Sequence, residues 1–250
     1  MTWKEKIIQT LRDELEPLGF RYIKSMTDFR LTVDKNTTLY LGLVVDRYWR
    51  GTTDISLVPS ANYRDIEEVV YQLFDISVAK YGRCRIGSRV EWLMPKEQYM
   101  YGDLDFRDCN DEKSNNKKMD MLLYRLKTYA LPFLERLSHR ESALEETISL
   151  DRKWHLFQEG IVPVMYCLWK HDKKSALDYL EEKRLRLLEM VEPWEWDLLE
   201  RFKNGERFGG VEIIENGIIY GGNDPGHAYD YDVFLGHAKK IKEWINNQNY

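Results

Sequence analysis

The segment Gly221-Gly-Asn-Asp224-Pro-Gly-His227-Ala-Tyr-Asp230-Tyr-Asp232 gathers an imidazole and three carboxylates in a short Gly-rich stretch just ahead of a helical pattern. Those residue types can do two kinds of chemistry. Asp224, His227 and Asp232 offer oxygen and nitrogen donors of the sort that hold a divalent metal, and His227 with Asp230 offers an acid–base pair. No established ligand spacing is matched, and a plainer reading competes: Gly and Pro make a turn, while Asp230 or Asp232 caps the last helix and complements its dipole. The plainer reading is preferred, so the sequence assigns no catalytic residue, metal or cofactor, and keeps His227, Asp230, Asp224 and Asp232 as the positions to inspect.

Other chemistry-bearing patterns fail on detail. Asp103, Asp105, Asp108 and Asp111 are spaced a little like a calcium loop, but Arg107 and Asp108 stand where an EF-hand needs an oxygen ligand and a glycine. Gly205–Gly210 and Gly221-Gly222 match neither a Walker loop nor a dinucleotide fingerprint. His139, His155, His171 and His237 stand singly, without a Ser or Cys partner in a triad-like motif, and read as surface or capping residues. A different feature is the aromatic content of 8 Trp and 16 Tyr. Trp194 and Trp196 fall on one short helix, and Tyr48-Trp49 at a strand end. Aromatics exposed together mark protein-binding surfaces, so these four are the candidate partner-binding residues.

The elements that would position these groups can be read from periodicity. Trp3, Ile7, Leu11, Leu15 and Leu18 recur at helical spacing, and Gly19 suits a left-handed cap. The period then becomes two: Phe29, Leu31, Val33; Leu39, Leu41, Leu43, Val45; Ile55, Leu57. Asp34-Lys35-Asn36 and Arg50-Gly51-Thr52 supply turns, giving an antiparallel meander with one covered and one wet face. Pro59-Ser60 ends that run, Asn62 caps a second helix, Ile86–Met94 adds a strand, and 102–116 is an acidic loop, with a boundary near 111–118.

From Met119 the pattern is helical, with a kink or break expected at Pro132. Capping boxes at Ser142–Glu145 and Ser175–Asp178 open further helices, and Pro193 opens the Trp-bearing one. Val211–Tyr220 with Asn216-Gly217 at its centre predicts a type I′ hairpin, and a last helix starts near Tyr231. The expected fold class is therefore α+β: an N-terminal helix plus antiparallel meander over 1–110, then a mainly helical region over 117–250 carrying the hairpin, with both able to pack as one unit.

Composition narrows the classes. In 250 residues, 43% are hydrophobic and 32% charged, with a net charge of -5. A core is affordable without staples, no concentrated basic footprint points to nucleic acid, and no apolar run approaches the roughly 20 residues of a membrane span. Cys84, Cys109 and Cys167 form no framework, and the N-terminus lacks a secretory apolar core. A cytoplasmic protein is expected.

The run Leu11…Leu18-Gly19-Phe20-Arg21, then Phe29-Arg30 and a meander, resembles an uncharacterised bacterial family classed as a domain of unknown function. Its members open with a helix ending in Leu-Gly-Phe-Lys/Arg followed by an aromatic–Arg strand, and Tyr129–Leu134 looks like a later helix of the same family. The similarity spans the first half of the chain. It implies the N-terminal fold and no activity or site residue. Proteins of this general kind look like immunity proteins of toxin systems. The functional expectation is a non-enzymatic interaction or immunity-type protein; the alternative is a small metal-assisted hydrolase using the 224–232 loop.

Overall fold

The computed structural model describes residues 2–48, 52–74, 85–98, 104–107, 112–154, 160–205, 213–215, 218–220 and 226–249. The protein is α+β. It forms two compact units, the first made of Met1–Glu68 with Ser77–Leu156 and the second of Val69–Ile76 with Phe157–Tyr250.

In the first unit, α1 (Trp3–Leu15) is opened by Thr2, whose hydroxyl accepts the Glu5 N–H at 3.3 Å while Glu5 accepts the Thr2 N–H at 2.8 Å. This is a reciprocal capping box. The apolar stripe buries Ile7, Leu11 and Leu15 completely. The chain then turns at Gly19, whose φ of +90° is the left-handed conformation its place after the helix requires.

A meander follows: β1 (Arg21–Ile23), β2 (Asp28–Thr32), β3 (Thr37–Tyr48) and β4 (Thr52–Tyr63), each antiparallel to the next, with β5 (Ile86–Gly87) and β6 (Asp105–Arg107) both pairing along β4. The turn into β3 is set by Asp34, whose carboxylate accepts the N–H groups of Asn36 at 2.6 Å and Thr37 at 2.7 Å. These bonds stabilise the charged form and lower its pKa.

Several expectations are corrected here. Pro59 does not end β4: its carbonyl accepts the Ser88 N–H at 3.2 Å, while among the described residues the β5 and β6 registers pair Ser60–Ala61 and Thr52–Asp54 and ask no N–H of position 59, so the missing donor is tolerated. Asn62 consequently lies inside β4, and α2 (Arg64–Phe74) follows it directly, its residues divided between the two units. Ile86–Met94 yields only a two-residue strand before a short helix, α3 (Val90–Leu93). The expected acidic loop contains β6, and α4 (Glu112–Arg125) occupies the expected boundary, with Asn115 wholly buried.

The second sheet face is covered over much of β3 and β4, and stays open at Arg21 and Thr32. Register places Asp28, Thr38, Tyr40, Ser56, Ser60 and Asn62 on the face opposite Phe29, Leu41 and Leu57, and all six are buried. The cause lies downstream in sequence. Arg85 donates to Asp28 at 2.7 Å and stacks 3.8 Å over the Tyr40 ring, while Ser56 donates to Glu91 of α3 at 2.6 Å. Alternation reveals polarity, whereas burial depends on what the chain later lays over it.

The π turn and helix that follow α4 pack on the apolar face. A π turn over Leu126–Ala130, in which the Leu131 N–H reaches the Leu126 carbonyl, carries α4 without a break into α5 (Leu131–Leu137), so Pro132, which lacks an N–H, follows directly on this irregular turn. Tyr63 donates its hydroxyl to the Leu137 carbonyl, and burial pushes that phenol well above its ordinary pKa. The unit ends with α6 (Arg140–Trp154), which starts two residues ahead of the expected Ser142 cap; Ser142 instead donates to the carbonyls of Arg136 and His139.

The second unit contains α7 (Ile161–Met165), extended by a π turn over Tyr166–Lys170, then α8 (Lys173–Met190), α9 (Pro193–Lys203), the hairpin strands β7 (Ile213–Glu215) and β8 (Ile218–Tyr220), and α10 (His227–Asn246). Asp172 caps α8 by accepting the Ser175 N–H at 2.9 Å, one turn earlier than the Ser175 motif suggests. Glu215 pairs with Ile218, leaving the two-residue connection expected of Asn216-Gly217, which themselves lie outside the described residues. The core is the seam of α8 and α10, built from Ala176, Leu180, Leu187, Phe234, Ile241 and Ile245. Among the described residues no helix is long and apolar enough to cross a membrane.

Candidate functional site

The most closely organised polar centre in the second unit is Glu195. Pro193 fixes the first position of α9, and Glu195, two residues on, turns its carboxylate back toward the helix start. One oxygen accepts the Glu192 N–H at 2.7 Å; the other accepts the His227 N–H, at the start of α10, at 2.9 Å. The same oxygen lies 3.4 Å from His227 Nδ1. Glu195 is fully buried, while the His227 side chain is 42% exposed. A carboxylate here satisfies orphan donors of two helix starts and lies at the positive end of both dipoles.

The residue just ahead of α10 is shaped by this contact. Gly226 has φ +67°, and a Cβ there would lie 2.3 Å from the Glu195 carboxylate. Only glycine lets the backbone come this close. Neither Asp230 nor Asp232 caps α10, contrary to expectation: its N-cap is Gly226, without a side-chain bond, and the acceptor comes from Glu195 in another helix. The final helix also begins at His227 rather than near Tyr231.

The sequence candidates therefore separate. His227 joins Glu195, a residue the sequence reading did not select. Asp232 pairs with Lys203 at 2.6 Å, Asp230 lies in the first turn of α10, and Asp224 falls outside the described residues. Among the described residues no group of three or more His, Cys, Asp or Glu could hold a metal. The local signal for Glu195 was present: proline at the first helical position followed two residues later by Glu is the return half of a capping box. Nothing local reveals its second client at residue 227.

An imidazole whose Nδ1 faces a buried carboxylate has its other nitrogen directed away from that carboxylate, which is the orientation a general base uses. His237, on the same helix, differs: its ring lies 4.5 Å from Phe74, and burial, aided by Lys240, lowers its pKa. Of the aromatic candidates, Trp194 and Trp196 are 38% and 39% exposed, and Trp196 stands edge-on to Tyr231 at 5.8 Å. Leu188 and Leu235 on the flanking helices are also exposed. Tyr48 ends β3 opposite Thr52, and Trp49 lies outside the described residues. Compared with known protein families, with curated proteins and with solved structures, the chain matches none.

Proposed function

We propose that the protein is a non-enzymatic binding protein of the bacterial immunity type, whose partner is a protein presenting a basic surface. One observation supports this reading above the others. Helix α9 is anchored by buried Glu195 and Leu199, yet leaves Trp194 and Trp196 exposed on its surface. Large aromatics held in place from behind are the residues that dominate protein interfaces, because little conformational entropy is lost when they dock. The exposed charged residues next to them in sequence, Glu192 at the N-cap and Asp197 in the first half of the helix, are acidic, as is Glu189 before them. That arrangement favours a positively charged partner.

A photo-crosslinking residue at position 194 of the full chain should capture one discrete protein in the producing cell. Titration of that purified protein should then lose more than about 2 kcal/mol of binding when Trp196 is replaced by alanine. Unchanged affinity in a Trp194→Ala/Trp196→Ala variant would sink the proposal. The second reading, a small hydrolase, draws on the Glu195–His227 contact. It requires an esterase or phosphodiesterase activity that His227→Ala abolishes and the tryptophan variants leave intact.

A further inference from the structure

The first unit holds a separate feature that the protein-binding reading does not use. Arg21 and Arg30 are direct partners in the β1–β2 register, so two guanidinium-bearing side chains rise from the same face of the sheet. Like charges directly opposite one another destabilise a strand pair. Among the described residues neither arginine has an ion-pair or hydrogen-bond partner for its side chain, and the buried Nε of Arg30 has no acceptor.

The neighbouring acids do not relieve them. Glu16 is bound by Arg12 at 2.6 Å, and Asp28 by Arg85 at 2.7 Å. Both arginines line a cleft of about 410 Å³ together with Ile23 and Thr32, which follow them in alternation on the same face. Edge-strand protection accounts for a charge at Arg21, since charged side chains deter pairing with other chains. It does not account for Arg30, which lies on an inner strand and whose side chain, lining the cleft, has no partner among the described residues. An anion entering the cleft would supply the opposite charge that both guanidinium groups lack among the described residues.

We propose that this cleft binds the phosphate group of a small phosphomonoester. Two facing guanidinium groups match a dianion, and a phosphomonoester carries close to two negative charges at neutral pH. A carboxylate or a phosphodiester carries one. The planar guanidinium offers paired donors suited to phosphate oxygens. Ile23 and Thr32 give the organic part an apolar wall and a hydroxyl, and the volume lies in the range of small-molecule sites, roughly 300–1,000 Å³.

The test follows the Arg30 Nε–H resonance by NMR in the full chain, at constant ionic strength, during titration with phenyl phosphate, inorganic phosphate, dimethyl phosphate and acetate. Phenyl phosphate should shift it saturably, with half-saturation at about 1 mM or below, and inorganic phosphate should bind more weakly. Dimethyl phosphate and acetate should give no saturation. Arg30→Lys, which keeps the charge and removes the planar paired donors, should weaken phenyl phosphate binding about tenfold. No saturable shift with phenyl phosphate overturns the site. Equal binding of acetate or dimethyl phosphate overturns the dianion assignment, and equal binding of inorganic phosphate overturns the monoester. The wild-type titration decides these outcomes even if the variant does not fold.

Discussion

The two units bury polar groups in different ways. In the first, the polar face of the meander is covered piece by piece: Asp28 has Arg85, Tyr40 has the stacked guanidinium, and Ser56 has Glu91. In the second, a single carboxylate, Glu195, serves the starts of two helices and faces an imidazole. A sheet presents polar side chains in rows, so each can meet a partner from a covering segment. Helix starts concentrate several orphan donors in one place, and one acceptor can serve more than one of them. The distributed arrangement should tolerate single losses; the concentrated one should not.

The sharpest way to break this contrast is Glu195→Ala. It leaves the Glu192 and His227 N–H groups without their acceptor, at a cost of about 2–4 kcal/mol. Hydrogen exchange should show lost protection at the starts of α9 and α10 with the meander unchanged. Glu195→Gln, which keeps an acceptor, should cost less. Full retention of protection in the alanine variant would mean that Glu195 is not the common anchor.

Ser56→Ala probes the distributed side. It removes one hydrogen bond to Glu91, and about 1 kcal/mol is expected in denaturant unfolding followed on the first unit. A loss as large as that from Glu195→Ala would erase the distinction.

The smallest effect concerns pH. The pKa of His237 is lowered in the folded chain from an ordinary 6.5. The unfolded chain therefore takes up the proton first as pH falls. Stability from this residue is complete above the unfolded value and declines as pH drops below about 6.5 toward the lowered folded value. Unfolding midpoints of the second unit should decrease modestly between about pH 7.5 and 5.5, and His237→Gln should flatten that part of the profile. A steeper decline in the variant would contradict the assignment.

Much of the frame was legible because its causes are local. The spacing from Trp3 to Leu15 and the glycine at 19 specify a helix and its exit, since side-chain period and positive φ act over a few residues. Asp34–Asn36 and Pro193 acted in the same way. The expected end at Pro59, the cap at Asn62 and the wet sheet face over β3 and β4 failed because β5, β6, Arg85 and Glu91 arrive from distant sequence and change what is paired and what is covered.

The candidate sites divide along the same line. The sequence by itself singled out His227 and the exposed tryptophans, residue types whose chemistry is visible in isolation. Only the tertiary structure joined Glu195 to His227 across 32 positions, and set Arg21 opposite Arg30 on neighbouring strands. The physical reason is that hydrogen bonds and charge pairs depend on distance in space and on burial, which no local pattern of residues encodes.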